Sequence, residues 1–361
     1  MAVAVDGTYT GMLAELVIRP AVARPALSSY FTIVEGVKGK QIVTFLERTR
    51  LITIVDPGCG TGITTVNLAK TTFTWDPVDM KAWVSECWKD LRGKVEEHYL
   101  KAGNDKKDLS DTVYGDFMVD ALEDGVGNDL LRMAWFADSA MVAGALTPTV
   151  TINGTVYTSA QLLLFFKTFK GAWKRIFDGV AATTIKRVAI AQNGSGTNQI
   201  FAEADAPLLF KAMFNGQPAK LAAQPNAEKQ FLVSRSIFNA WTDYRESRNL
   251  DLSFQVMANG ESTPTYRGVP VLVVDEWDAG IATFFQPSAQ AALAGKADLP
   301  NRAILTVKGN MQLGFDATPI NDGGRATLEV WTSMDTEKWN ARATYTADQQ
   351  IADHELIVVA Y

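Results

Sequence analysis

Few residues in this chain are equipped for bond chemistry. Only two histidines, His98 and His354, and two cysteines, Cys59 and Cys87, occur in 361 residues. Two histidines cannot build a multi-histidine metal site, and they leave few candidates for a catalytic base. Two cysteines are too few for a disulfide framework and suit a reducing compartment. Their plain role is that of small buried side chains. His98 fits a helix end facing the C-terminal dipole, and His354 fits a turn before the last strand. One stretch has the chemistry of a ligand cradle: Ile52-Thr-Ile-Val55 runs into Asp56-Pro-Gly-Cys-Gly-Thr-Gly62. Glycines there would let backbone approach a nucleoside closely, and Asp76 lies downstream as an acid able to hold a ribose.

The bulk numbers set the frame. Hydrophobic residues make up 47% and charged residues 20%, as in a folded protein with room for two domains or one elaborate one. The net charge is −6, without a run of basic residues. Strong nonspecific nucleic-acid binding needs clustered Lys and Arg, so any DNA contact is expected to be weak. The start, Met1-Ala-Val-Ala-Val-Asp-Gly7, lacks the basic and apolar regions of a signal peptide. Apolar runs such as Leu162 to Phe166 are too short to span a bilayer, so no membrane partner is expected. No cofactor and no metal site is expected.

Elements must position whatever function exists. Met1 to about Phe31 reads as an arm, because Pro20 and Pro25 fix extended backbone before them. Its apolar Leu13, Leu16, Val17 and Ile18 need a partner, either the rest of the chain or a neighbouring subunit. Lys40 to Leu46, Leu51 to Val55 and Ile63 to Phe73 are rich in β-branched and aromatic residues and predict a long β ribbon. Asp76-Pro77 predicts a helix start, with Met80, Val84, Cys87, Trp88, Leu91, Val95 and Tyr99 on one face. A second long helix is expected over Asp111 to Phe136 and a third over Ser159 to Phe177. Beyond Lys186 strands and shorter helices mix. Helices are expected at Asp205 to Phe214 and Ser234 to Ser247. Strands are expected at Val188 to Ala191, Leu252 to Met257, Val269 to Val274, Ala303 to Val307, Ala326 to Trp331, Ala341 to Thr346 and Leu356 to Tyr361. Trp331 and Trp339 read as core aromatics, with interface anchoring as the alternative because Trp is enriched there. The class is α+β.

The glycine stretch with Leu68-Ala-Lys70 resembles the first motif of S-adenosylmethionine-dependent methyltransferases. Three features weigh against it. The residues after Gly62, Ile63-Thr-Thr-Val, favour a strand where the motif needs a helix. Gly62 to Asp76 is short for a helix, turn and strand, since a βαβ unit takes about 30 residues. No regular strand–helix alternation follows, and a doubly wound sheet needs one.

A larger resemblance covers most of the chain. Thr265-Tyr-Arg-Gly-Val-Pro-Val-Leu-Val-Val-Asp-Glu-Trp-Asp278, Pro300-Asn-Arg-Ala-Ile-Leu-Thr-Val307, Gln312-Leu-Gly-Phe-Asp316 and Glu355-Leu-Ile-Val-Val-Ala-Tyr361 occur in an order that resembles tailed-phage major capsid proteins of the Hong Kong 97 fold. Within that frame Cys59, Gly62, Cys87 and Trp88-Lys-Asp-Leu91 are similar to capsid proteins of crAss-like phages. The resemblance implies an N-terminal arm at 1–33, an extended β loop at 34–75 and a peripheral domain with its spine helix at 76–180. An axial domain at 181–318 and a return to the peripheral domain at 319–361 complete it. It implies pentamers and hexamers in an icosahedral shell around double-stranded DNA, formed in the bacterial host cytoplasm, with no catalysis and no catalytic residues. Scaffolding, portal and decoration proteins are the implied partners. With no extra assembly domain before the arm, a separate scaffolding protein is expected. Glu47, Arg48 and Arg50 on the ribbon and Arg267 in a turn are the interface candidates. The alternatives are the methyltransferase and an encapsulin-like compartment shell.

Overall fold

The computed structural model describes residues 5–6, 17, 21, 24–46, 70–87, 113–152, 154–194, 200–248, 254–256, 262–285, 299–318, 326–333 and 335–361. The elements run as follows. β1 (Val5–Asp6), α1 (Pro25–Ser28) and β2 (Thr32–Glu35) precede a ribbon of β3 (Gln41–Leu46) and β4 (Lys70–Trp75). β5 (Val78–Cys87) follows, then the long helix α2 (Val113–Phe136), the hairpin β6 (Thr149–Ile152) and β7 (Thr155–Thr158), α3 (Ser159–Phe166), α4 (Ala172–Ala181) and β8 (Lys186–Val188). The next group is α5 (Asp205–Asn215), β9 (Lys229–Val233), α6 (Arg235–Ser247), β10 (Phe254–Val256), β11 (Ser262–Tyr266), β12 (Val269–Val273) and α7 (Asp275–Phe284). β13 (Ala303–Val307), β14 (Met311–Asp316), β15 (Thr327–Ser333), β16 (Lys338–Ile351) and β17 (Ile357–Ala360) end the chain.

Two large sheets form. The first has the order β1-β15-β16-β14-β2, with β5 also on β16. The second has the order β10-β11-β12-β9-β13-β17-β8. Sheet membership crosses the expected domain boundaries, because β14 joins the first sheet and β17 the second. β16 is the central girder of the first sheet. Its Ala341, Ala343, Tyr345 and Ala347 are buried, and in register with them lie Val84, Ala82 and Met80 of β5. Three alanines on this face let α2 lie close on the sheet. The helix answers with Val119, Leu122, Val126, Leu130 and Met133, which recur at helical spacing and are buried. Each such aliphatic side chain contributes about 1.5–3 kcal/mol by leaving water.

The second sheet is covered on both faces. Alternate residues point opposite ways: Phe231, Val233, Ala303, Leu305, Val358 and Ala360 meet α5 and α6 in one core. Leu232, Ile304, Ile357 and Val359 belong to the other core, shared with α2 and the first sheet. Trp277 is the joint there, with Trp135 at 5.0 Å and Trp173 at 4.9 Å between ring centroids.

Three expectations change. The helix expected from Asp76 is a strand over Val78–Cys87. Val-Asp-Met-Lys-Ala-Trp-Val-Ser-Glu-Cys alternates with period two, and β16 offers a partner along its length. The helix expected over Ser159 to Phe177 is two helices. Thr158 caps α3 in a reciprocal box with Gln161. The chain then breaks at 167–171 to wrap the end of α2: Gly171 N–H donates to Ala137 O at 2.8 Å, and a Cβ on Gly171 would sit 2.7 Å from Met133 O. The strand expected at Val188 to Ala191 lies earlier, at Lys186–Val188, paired with β17. The described arm residues Val17, Ala21, Leu27 and Phe31 are buried in their own chain's core. Arg24 ties the arm to α2 through Glu123 at 3.5 Å and through Asp124, and lies across Gly127, where a Cβ would meet its guanidinium.

Candidate subunit-interface surfaces

The ribbon is an exposed element with a fixed base. β3 and β4 pair in register from Gln41 opposite Trp75 to Leu46 opposite Lys70, and no third strand joins them among the described residues. Ile42 on it is 71% exposed. An isolated strand pair is marginal in water, so its stability must come from its root or from something laid over it.

The root is firmly held. Trp75 is buried against Val37 and Gly314, where a Cβ would meet the indole at 2.7 Å. Val37 N–H donates to Phe315 O at 3.2 Å, Thr346 Oγ1 donates to Val37 O at 3.0 Å, and Gln350 Nε2 donates to Thr74 O. Asp348, 1% exposed, accepts from Asp76 N–H at 2.9 Å, from Gln349 N–H at 2.8 Å and from Arg175 Nη2 at 2.9 Å. Burial lifts the Asp348 carboxyl above the usual carboxylate range, against the pull of Arg175 and the two backbone N–H groups. Burial lowers the Arg175 guanidinium in turn, but arginine starts so high that it stays charged at neutral pH. A cavity of about 320 Å³ beside the root is lined by Lys40, Thr74, Asp76, Lys170, Arg175 and Asp348.

A second surface is the outer face of the first sheet. Trp83, 53% exposed, lies beside Arg342 and Trp331, with the two indoles edge-on at 5.5 Å. Lys81 Nζ sits 4.5 Å from the Trp83 ring, the Arg342 guanidinium 5.6 Å from the Trp331 ring, and Arg342 pairs with Glu329. Such rigid aromatic groups flanked by arginine are the kind that anchor protein interfaces. Further exposed apolar side chains are Val156 on β7 and Leu164 and Phe165 on α3, at 58%, 77% and 40% exposed.

Of the residues read from the sequence as interface candidates, Glu47, Arg48 and Arg50 lie outside the described residues, as does the glycine stretch 56–62 with Cys59. Arg267 forms, with Gly268, the two-residue turn between β11 and β12; their φ values of 51° and 78° fit a type I′ hairpin. Asp76 stands at the ribbon root. Cys87 is half-buried at the end of β5 rather than a core residue, and Trp331 faces outward rather than into the core. Trp339 is buried. The sequence reading missed the Trp83 surface and the Arg175–Asp348 pair. The first had a signal in the alternation of β5; the second joins residues 173 positions apart.

Among the described residues no group of three or more His, Cys, Asp or Glu could hold a metal ion, and no helix is long and apolar enough to cross a membrane. No protein-family model and no curated protein matches the sequence. Solved structures do. A chain of the satellite phage P4 procapsid including the size determination (Sid) protein superposes with TM-score 0.56 at 10% identity, over 96% of this chain and 89% of that one. The capsid of cyanophage P-SCSP1u gives 0.48 at 11% identity, over 92% and 86%. The holo-SrpI encapsulin complex of Synechococcus elongatus PCC 7942 gives 0.43 at 10% identity, over 92% and 84%. Of these three, the P4 match shares enough geometry to assign architecture, and at its low identity it establishes the fold. Arm, ribbon, long helix and two mixed sheets together make this an α+β chain of the Hong Kong 97 fold.

Proposed function

We propose that this chain is the major capsid protein of a tailed phage. Copies join as pentamers and hexamers into an icosahedral shell that encloses double-stranded DNA. The ribbon carries the reading: it is fixed at its root by buried contacts, while its body has no third strand among the described residues and presents Ile42 to solvent. A strand pair of that kind gains order when a sister molecule covers it, and its open edges then serve assembly instead of aggregation. Contacts around a closed ring add up even when each is modest.

On this reading residues 1–33 are the arm, 34–75 the extended loop, 76–180 the peripheral domain with α2 as spine, 181–318 the axial domain, and 319–361 the return. β14 pairs in the first sheet and β17 in the second, so on this reading the chain crosses between the two domains more than once. The protein is a structural component of the virion, assembled in the host cytoplasm, and performs no reaction. Scaffolding, portal and decoration proteins are its further partners. The negative net charge keeps its contact with packaged DNA weak.

Electron microscopy of the purified chain, with calorimetry against S-adenosylmethionine, tests the reading. Rings or shells without ligand heat are expected. A monomer that binds the cofactor at micromolar concentration would reject it in favour of the methyltransferase, and shells that enclose a protein cargo would favour the encapsulin-like compartment.

A further inference from the structure

β5 has the longest free strand edge among the described residues. All ten of its residues, Val78 to Cys87, pair one-to-one with Ala347 to Lys338 of β16. On its other side it has no partner strand among the described residues. Successive residues of a strand turn their N–H and C=O groups to alternate sides, so every second residue of β5 directs them away from β16. Proteins blunt such an edge with proline, a bulge or a very short strand. β5 has no proline, and its register with β16 is unbroken over ten residues. The edge strands β1, β2, β8 and β10 span two, four, three and three residues.

The core side of this strand is also incompletely covered. Met80, Ala82 and Val84 pack toward the shared core, yet all three are only half-buried. Opposite them on β16, Tyr345, Ala343 and Ala341 are buried. On the outer side Trp83 is exposed, and Lys81 lies over its ring at 4.5 Å. The edge therefore combines unpaired backbone groups with apolar surface on both of its faces, and a further strand laid beside β5 would cover both.

We propose that β5 pairs antiparallel with β5 of a second copy across a two-fold axis at Ala82, and that this contact joins one ring of subunits to the next. The inference rests on the shell reading, because an icosahedral shell supplies two-fold axes between its rings. The strand is complementary to itself in that register. A two-fold axis normal to the sheet keeps every side chain on its own face, so only residues of one face meet. Lys81 then lies opposite the partner's Trp83, Met80 opposite the partner's Val84, and Asp79 opposite the partner's Ser85. Each pair occurs twice. The lysine again meets an indole, as it does within one copy, and Met80 and Val84 close the core side. Moving the axis to Lys81 would set two lysines face to face, which is destabilising. A ribbon strand, six residues long, would cover only part of the ten-residue edge.

The test uses the full chain and reads, by sedimentation, the subunit concentration at half-assembly. Ser85 is exposed, so its substitution should leave the melting temperature of the free subunit unchanged. Ser85→Asp places a like charge opposite the partner's Asp79 on each side of the axis, and Ser85→Lys places an opposite one. Half-assembly should need about fivefold more protein for Ser85→Asp and about fivefold less for Ser85→Lys. Electron micrographs of Ser85→Asp should show separate rings at concentrations where wild type forms shells. Adding Asp79→Lys to Ser85→Asp should restore wild-type assembly, which a general effect of surface charge would not do selectively. Wild type and both single variants assembling at equal concentration, or a folded double variant that is not rescued, would overturn the edge contact while leaving the shell reading intact. Wild-type subunits that never assemble would overturn both.

Discussion

The two sheets are built from similar strands but leave different faces open. In the second sheet β9 is buried at all five positions, because α5 and α6 cover one side and the tryptophan joint covers the other. In the first sheet β5 and the first half of β16 are closed mainly on the face toward α2, while the ribbon root covers Thr346, Asp348 and Gln350 on the other face. There the opposite face carries Lys81, Trp83 and Arg342, and β5 has no second partner strand among the described residues. A sheet closed on both sides spends its side chains on the fold of its own chain. A sheet closed on one side still has a rigid surface available, and the ribbon is the extreme case, with only its root enclosed.

That contrast can be broken most severely in the closed sheet. Phe231→Ala empties the space against Phe210 at 4.9 Å and should lower unfolding free energy by about 3–5 kcal/mol in denaturant titration. The ribbon root should come next. Asp348→Leu strands the buried Arg175 charge and should cost about 3–5 kcal/mol, with faster proteolysis of the ribbon as a second readout. Asp348→Asn should cost less, because an amide keeps the shape and an acceptor oxygen of the carboxyl, and burial shifts that carboxyl toward its neutral form. That shift has a pH signature: with the folded pKa above the ordinary value of 3.8, this group makes stability fall as pH rises between the two values. Melting temperature against pH should lose that slope in Asp348→Asn.

The open face should respond in the opposite way. Trp83→Ala deletes one ring contact and little burial, so the free subunit should lose less than about 1.5 kcal/mol. Its assembly should weaken measurably in the same sedimentation assay, whereas Phe231→Ala should lower both readouts together. The smallest effect expected is at His354, whose Nδ1 lies 2.8 Å from Thr184 Oγ1. Burial, with Arg175 adding to it and Asp353 opposing, holds its pKa below 6.5. Stability present above that value should therefore fade as pH drops from 6.5 toward the lowered one, and His354→Gln should flatten the curve.

Legibility in the sequence tracks how local the deciding contacts are. β13 lies where its apolar run Ala303 to Val307 placed it, and α2, α5 and α6 follow their stripes, because a periodic stripe is enough to specify a packed element. β5 was misread because Met80 and Val84, four apart, satisfy both the helical and the strand period; Ala82 inward and Trp83 outward decide between them. The break after Phe166 depends on the end of α2, which is distant in sequence, and Gly171 is the one local signal that marks it. Asp348-Gln349-Gln350 looks like a solvated polar run, yet all three are buried, since Arg175, Asp76 and Thr74 reach them from distant elements. The capsid resemblance was legible through the order of several short segments, while the residues of the open face carried no motif.

Hydrogen–deuterium exchange on the ribbon, compared between free subunits and assembled particles, tests the central claim most directly. The amides around Val37 and Trp75 should be protected in both states, and those of Gln41–Leu46 and Lys70–Thr74 should slow only on assembly. Equal protection of the whole ribbon in the free chain, or exchange unchanged by assembly, would contradict the account.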